Sequence, residues 1–321
     1  FKKIKLRFNL PTPKKILLYE DMHASILKQI INKDFNIIKV RENKEIYFWI
    51  LIKQIILFDF TFNTYCKNFI KFTSPKIIIT FIDNNIQFYK FKKNFKNITF
   101  ISIQNGLRHV KWFRSKIVKN SNNLECDHIF VLNKYYIKKY QKIIKSQYHL
   151  LGGFKNNIVK IDKTKIYNNY LFISQFNKHR KYYDSFRKKL LNLINLFLNN
   201  YNKKIYILLR HSNSLKQREE IQYYNKIFQS NCIFYKPSNW KKSYELVDKF
   251  ENIIFMYSTL GYEAFARKKK VAIFSPKKNY GFQYNFGWSA SSQKKYNFFS
   301  AKNLTYNEIK RVLKNINNCS Q

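Results

Sequence analysis

Several signatures that would settle the chemistry of this 321-residue chain are missing from it. There is no G-x-x-x-x-G-K-[ST], no G-x-G-x-x-G, no G-x-S-x-G and no H-E-x-x-H, so the motifs of P-loop NTPases, dinucleotide enzymes, serine hydrolases and zinc proteases are excluded. An Asp-x-Asp pair, the usual carboxylate clamp for a divalent metal on a diphosphate, is missing too. The four cysteines, Cys66, Cys126, Cys232 and Cys319, lie at least sixty residues apart, so no C-x-x-C ligand or redox spacing exists and reduced thiols are expected. No apolar run reaches the roughly 20 residues of a membrane-spanning helix. The most apolar segment, Ile46 to Phe62, is interrupted by Lys53 and Asp59 and predicts a buried helix, or a helix plus a strand. Phe1-Lys2-Lys3 is followed by no apolar h-region, so a signal peptide is not expected, and the absence of an initial Met suggests that a few residues precede it.

Acidic residues are few, 18 against 61 Lys and Arg, for a formal charge of +43. Such a surplus suits nucleic acid, because clustered cations release counterions from phosphates. The surplus is 51 Lys to 10 Arg, however, whereas base readout and bidentate phosphate contacts favour Arg. An anionic membrane surface is the better use of the charge. Hydrophobic residues make up 45% of the chain, with 31 Phe and 24 Tyr, enough to bury sizeable cores and to favour a globular protein. The length suits two domains.

Apolar strand-type runs alternate with amphipathic stretches throughout. Lys15–Tyr19, Asn36–Val40, Lys76–Ile82, Ile98–Ile103 and Asp127–Leu132 read as strands of a first half, with helices at Ala24–Ile31 and Tyr135–Ile144. Tyr170–Ser174, Ile205–Leu209, Cys232–Tyr235, Ile253–Met256 and Val271–Phe274 read as strands of a second, with helices at Tyr182–Leu198, Leu215–Phe228, Lys242–Phe250, Leu260–Arg267 and Thr305–Ile316. That rhythm predicts α/β architecture with mostly parallel sheets, twice over. The paired Gly152-Gly153, followed by the Lys- and Asn-rich stretch Lys155–Lys165 with no apolar period, marks the boundary, giving domains 1–155 and 156–321.

In doubly wound sheets ligands sit beyond the carboxyl ends of strands. Candidates for a general base at such ends are Asp21, His23, Asp83 and His109, with Asp83 first because it follows the most apolar strand; Asp21 and His23 are also readable as a solvated loop and helix cap, and Asp83 as purely structural. Ser258 and Thr259 open the Leu260 helix, where free amides and the positive dipole end favour a phosphate; an ordinary Ser/Thr N-cap is the other reading. Gly261 is expected to let a ligand approach the backbone. Glu263, one turn in, either binds a ribose diol or complements the dipole. Arg210 and His211 follow the strand at 205–209. Phe286-Gly287-Trp288, with Tyr280, Phe282 and Tyr284, is an aromatic platform or core.

The stretch S-T-L-G-Y-E-A-F-A-R-K-K-K-V-A-I-F-S at Ser258–Ser275 resembles the C-terminal signature of the surface-carbohydrate (O-antigen or lipopolysaccharide) biosynthesis proteins, glycosyltransferases of the two-domain GT-B type. Further pieces match in the same order: F-I-D-N-N from Phe81, I-Q-N-G-L-R from Ile103, G-G-F-K-N-N from Gly152, I-S-Q-F from Ile173 and F-G-W from Phe286. The resemblance implies two Rossmann-like domains facing a cleft. The C-terminal one would hold a nucleotide-sugar donor through Arg210, His211, Ser258, Thr259, Gly261 and Glu263. The N-terminal one would hold a glycan or lipid-linked acceptor through Gln104, Asn105, Gly106 and Arg108. Arg210-His211 before Ser258-Thr259 is also similar to the His-Pro and Ser-Ser/Thr pair with which GT-B sialyl- and Kdo-transferases hold CMP, although Ser212 stands where Pro would be. The implied reaction is metal-independent glycosyl transfer, without cofactor, at the cytoplasmic face of a membrane. Polyol-phosphate transfer from a CDP-alcohol, nucleic-acid binding and a catalytically inactive carbohydrate-binding scaffold are the alternatives.

Overall fold

A computed structural model describes the chain apart from residues 1–3, 32–33, 40–44, 57, 109, 163–166, 179–183, 212, 275–297, 302 and 320–321. His109, Ser212, Tyr280, Phe282, Tyr284 and the Phe286-Gly287-Trp288 triplet therefore lie outside the described residues. Two compact units emerge, changing over between Gly152 and Gly153, with Leu107 and Arg108 grouping with the second.

Unit 1 contains, in order, β1 (Lys5–Arg7), β2 (Ile16–Tyr19), α1 (Ala24–Ile31), β3 (Asn36–Ile38), β4 (Glu45–Tyr47), α2 (Phe48–Ile56), α3 (Phe62–Thr73), β5 (Ile77–Thr80), α4 (Ile86–Phe91), β6 (Thr99–Ile103), α5 (Val110–Phe113), α6 (Lys116–Lys119), β7 (Leu124–Val131), α7 (Lys134–Tyr140) and β8 (Ile144–Leu150). Six of the strands form a parallel sheet in the order β3-β2-β5-β6-β7-β8. Leu17, Leu18, Ile78 and Ile79 are buried because both faces of β2 and β5 are covered, which is why these strands read as unbroken apolar runs. The order reverses between β2 and β5, so the switch point lies there.

Unit 2 contains α8 (Phe154–Ile158), β9 (Tyr167–Ile173), α9 (Asp184–Asn200), β10 (Ile205–Leu208), α10 (Ser214–Phe228), β11 (Cys232–Tyr235), α11 (Trp240–Asp248), β12 (Phe250–Phe255), α12 (Thr259–Ala266), β13 (Lys270–Ile273) and α13 (Tyr306–Asn318). Its five strands are all parallel, ordered β11-β10-β9-β12-β13, with the switch point between β9 and β12. Strand alternation sorts the two cores: Tyr170 and Phe172 of β9 pack with α9, α10 and α13, while Leu171 and Ile173 pack with α11 and α12 on the opposite face. Both units are α/β, as the alternation of runs predicts.

Four details differ from the sequence reading. The helix expected over 135–144 ends at Tyr140, and I-K-S-Q-Y-H-L that follows is β8, an edge strand whose mixed polarity hides it because it pairs only with β7. The Lys- and Asn-rich stretch from Lys155 begins inside a short helix, α8, that the sequence did not predict and whose first residue, Phe154, is buried. The helix expected over 242–250 is Trp240–Asp248, because Phe250 already belongs to β12. The segment 46–62 forms β4 and α2, but it is not buried: Trp49, Ile55, Ile56, Phe58, Phe60 and Phe62 are exposed. Only Ile50 and Gln54 of α2 are inside, since that helix leans on α3 with one narrow face. Among the described residues no helix is long and apolar enough to cross a membrane.

Candidate functional site

At the switch point of unit 2, three neighbouring strands end side by side. β10 runs out into Arg210 and His211, β9 into Ser174, Gln175 and Phe176, and β12 into Met256, Tyr257, Ser258 and Thr259. The Phe176 carbonyl accepts Arg210 Nη1 at 3.4 Å and lies 3.3 Å from His211 Nε2, which turns both side chains toward β9. On the other flank Gln175, buried, accepts the backbone N–H groups of Met256 and Tyr257 on Oε1 at 3.0 and 2.8 Å. The basic pair and the hydroxyl pair therefore stand on the same sheet edge, one on each side of β9. Two strand spacings put them about 10 Å apart, within the span of a nucleotide diphosphate-sugar.

The loop carrying the basic pair is fixed from below. Glu220 of α10, fully buried, accepts the backbone N–H of Arg210 at 3.1 Å and that of His211 at 3.3 Å, and also takes the Ser174 hydroxyl. The hydroxyl pair is held differently. Thr61, Asn85, Ser115, Asn133, Asn213, Asn239 and Thr305 each accept a first-turn amide with their side chain, whereas Ser258, the N-cap of α12, makes no such bond. Its hydroxyl and the first amides of α12 are not spent on each other, at the positive end of the helix. Thr259 Oγ1 accepts the N–H of Leu107, which groups with this unit, at 3.3 Å. Gly261 does not open the helix start to a ligand as expected: a Cβ there would overlap the ring of Phe255, so glycine is needed for α12 to lie against β12.

One turn on, Glu263 occupies a half-buried corner. Its Oε2 accepts the Tyr244 hydroxyl at 2.5 Å, and Gly153 leaves room for its Oε1, which a Cβ at 153 would overlap. Burial pushes the Glu263 carboxyl up to about 6, against the opposing pull of the Tyr244 hydrogen bond and the charges of Lys155 and Arg267. Burial likewise lowers the Lys155 ammonium, with Glu263 pulling the other way. Arg267, at the end of α12, is fully buried: its guanidinium pairs with Asp248 of α11 and donates to Asn156 Oδ1 at 3.0 Å and to the Val159 carbonyl at 3.1 Å. That knot fastens α8, α11 and α12 together around the Glu263 corner.

In unit 1, Asp21 and His23 follow β2 at the switch point, both half-buried, and His23 sits edge-on to Phe81 at 5.7 Å in a left-handed backbone conformation, φ 63°. Glu20 beside them accepts Asn85 Nδ2 at 2.7 Å, tying the end of β2 to the start of α4. Asp83 is fully buried; its Oδ1 accepts the Asn105 N–H at 3.3 Å and its Oδ2 the Tyr140 hydroxyl. That is the arrangement of a residue that holds the turn after β6. Gln104, also buried, accepts the Leu132 N–H at 3.1 Å and donates to the Gly106 carbonyl at 2.9 Å, so its side chain is committed to the backbone rather than turned outward. Asn105 and Arg108 are half-buried, and Gly106 is buried.

The family model described as "putative O-antigen biosynthesis protein" matches residues 101–321. The chain belongs to this family. The match takes in both strand-end pairs and Glu263 of this family member, while Asp21, His23 and Asp83 precede it. No sequence match to a curated protein was found. Among solved structures the chain is similar to a UDP-GlcNAc 2-epimerase from Methanocaldococcus jannaschii, at 12% identity and a TM-score of 0.53 over 95% of this chain and 92% of that one. It is similar also to S. aureus MnaA with UDP, at 12% identity and a TM-score of 0.53 over 95% and 88%. These likenesses give the fold, which is GT-B.

Gln175, Glu220, Tyr244, Gly153 and Lys155 are site residues that the sequence did not nominate. Each acts on a residue elsewhere in the chain, Lys155 on Glu263 through its charge, and only the I-S-Q-F and G-G-F-K-N-N pieces of the resemblance flagged the neighbourhoods of Gln175, Gly153 and Lys155. Among the described residues no group of three or more His, Cys, Asp or Glu side chains is placed to hold a metal ion.

Proposed function

We propose that this chain is a nucleotide-sugar enzyme of O-antigen assembly that transfers a sugar to a hydroxyl of a surface-glycan or lipopolysaccharide precursor. The observation that carries this reading is the N-terminus of α12 at the switch point, with an uncommitted N-cap hydroxyl and Arg210-His211 across β9. In this reading the donor phosphates rest on the α12 amides and on Ser258 and Thr259. Glu263 accepts hydrogen bonds from the ribose diol. As the acceptor oxygen bonds to the anomeric carbon, the bond to the donor phosphate breaks and charge builds on the leaving oxygen. Arg210, His211 and the helix dipole stabilise that charge, so no divalent metal is required. The acceptor proton passes to a general base, for which the partly exposed Asp21 and His23 are the candidates ahead of the buried Asp83.

A second reading is epimerisation of a UDP-sugar. It is favoured by the agreement over nearly the full length with a UDP-GlcNAc 2-epimerase. The resemblance to CMP-dependent enzymes and the UDP in the S. aureus structure nominate different nucleotides, so thermal shift with UDP-, CMP-, GDP- and CDP-linked compounds is the first test. A ligand at a hundred times its Kd adds about 2.7 kcal/mol. A transferase releases nucleotide only when an acceptor is present, whereas a 2-epimerase inverts C2 of UDP-GlcNAc without one. No selective stabilisation by any nucleotide would overturn both readings.

A further inference from the structure

We propose that the α2–α3 hairpin of unit 1 is a docking tip for the surface of a bilayer containing anionic lipid. Apolar side chains that a water-facing surface would not select run along this element. At its start Phe8, just after β1, packs on Phe48 at 5.3 Å, and Phe48 on Trp49 at 5.7 Å, leaving Phe8 and Trp49 64% and 52% exposed. At its end Ile56, Phe58 and Phe60 are 70%, 88% and 70% exposed, and Phe62 follows them. Single exposed apolar residues are ordinary, but several close together at one turn mark an interaction surface.

The turn is built rather than frayed. Gln54, buried, donates Nε2 to the carbonyls of Asp59 and Thr61 at 3.0 and 2.9 Å. Asp59 accepts the Thr61 N–H at 3.1 Å and the Thr64 hydroxyl at 2.5 Å. These bonds hold Phe58 outward in the left-handed region, φ 51°, a conformation costly for a bulky side chain. The fold thus spends backbone strain on exposing an aromatic ring.

Charge decides the occupant. Between Tyr47 and Lys76 the chain carries Lys53, Lys67, Lys71 and Lys76 against one acid, Asp59. Asp59 is engaged by the turn, and Glu45 of the adjoining strand is paired with Arg7 at 2.5 Å and Lys39 at 2.6 Å. A second copy would bring the same lysine-rich element, on a chain of formal charge +43, against this one. Exposed aromatic and aliphatic side chains on an element with four lysines and a single, engaged acid are what a headgroup layer with negative charge accepts: rings settle at the interface while ammonium groups meet lipid phosphates.

The inference does not rest on the transferase reading, because it is tested without turnover. Full-length protein is floated with phosphatidylcholine vesicles, and with vesicles in which about one third of the lipid is phosphatidylglycerol. Wild type should float only with the anionic vesicles, and less as salt rises. Phe58→Ser/Phe60→Ser should lower partitioning at least about tenfold without lowering the melting temperature, since neither ring is buried. Wild type failing to float with anionic vesicles, or the double variant floating as well as wild type, would overturn the proposal. So would sedimentation showing a dimer that the double variant dissociates while flotation is untouched, which would assign the tip to a second copy.

Discussion

Replacing Glu263 by Gln should make the protein more stable and a poorer binder of its donor, two effects of opposite sign from one carboxyl. Burial lifts the group from 4.5 to about 6 in the folded protein. A carboxyl whose folded value is raised favours folding only while protonated, so that contribution is complete below 4.5 and is lost as pH rises through about 6. The penalty for the ionised form is about 0.2 kcal/mol at pH 4 and grows to about 2 kcal/mol at pH 7.5, from 1.36 kcal/mol per unit. Glu263→Gln removes it and keeps an oxygen for the Tyr244 hydroxyl. Melting at pH 7.5 should therefore rise by about 4–8 °C, with no gain at pH 4. A ribose diol, in contrast, prefers the ionised carboxylate, so donor affinity of wild type should climb as pH passes about 6, and the variant should lose about tenfold in affinity and that pH dependence. Calorimetric melts at several pH values and titration with the nucleotide found by thermal shift read both quantities. A variant less stable than wild type at pH 7.5, or a melting difference that does not change between pH 4 and 7.5, would refute the reasoning.

Arg210→Ala should raise the donor Kd about ten- to hundredfold, the loss of a charge-assisted hydrogen bond, and shift stability by less than about 0.5 kcal/mol because the side chain is exposed. Isothermal titration with a parallel melt separates the two. Gln175→Leu leaves the Met256 and Tyr257 amides without their acceptor and should cost about 2–4 kcal/mol in urea unfolding. Gly261→Ala forces a methyl into the Phe255 ring and should cost about 1–3 kcal/mol, again by urea unfolding. Arg267→Met strands Asp248 in the core and should cost about 3–5 kcal/mol; Asp248→Asn in the same chain should recover part of it, since the stranded charge is the larger loss.

The architecture was legible because parallel strands covered on both faces must be apolar throughout, and I-I-I-T at β5 or I-I-F at β12 can hardly be anything else. Legibility failed where that condition lapses. β8 lies at the sheet edge and reads I-K-S-Q-Y-H-L, with Lys, Ser and Gln in a row and no period of two, so nothing in it marks a break from the lysine-rich helix before it. The segment 46–62 has core composition and surface placement, and no rule based on hydropathy alone separates those. A sequence reader assigns such a segment to the interior because burial is the usual use of Phe and Ile. Its conflict with the fold is the reason the docking tip could be recognised.

Site residues divide along a similar line. Arg210, His211, Ser258 and Thr259 could be nominated because strand ends are predictable and strand ends are where α/β proteins bind ligands. Their supports could not, because support is a tertiary relation: Glu220 reads as one more helical acid until two strand-end amides are found on its oxygens. Asp83 shows the converse error of inference. An acid following the most apolar strand is well placed for chemistry, but the burial that makes the strand so readable also encloses the acid, which here spends its oxygens on Asn105 and Tyr140. In a doubly wound sheet the useful polar side chains are then those that stay partly exposed past the strand end; distance alone does not suffice, since the buried Asp83 already lies three residues beyond β5. Asp21, His23 and Glu263 satisfy that condition, all half-buried and all at or beside a switch point. For the proposed transferase, exposure sets the order in which candidate bases are tested: Asp21→Asn or His23→Ala should depress turnover with little effect on donor affinity, and the buried Asp83→Asn should act first on melting temperature.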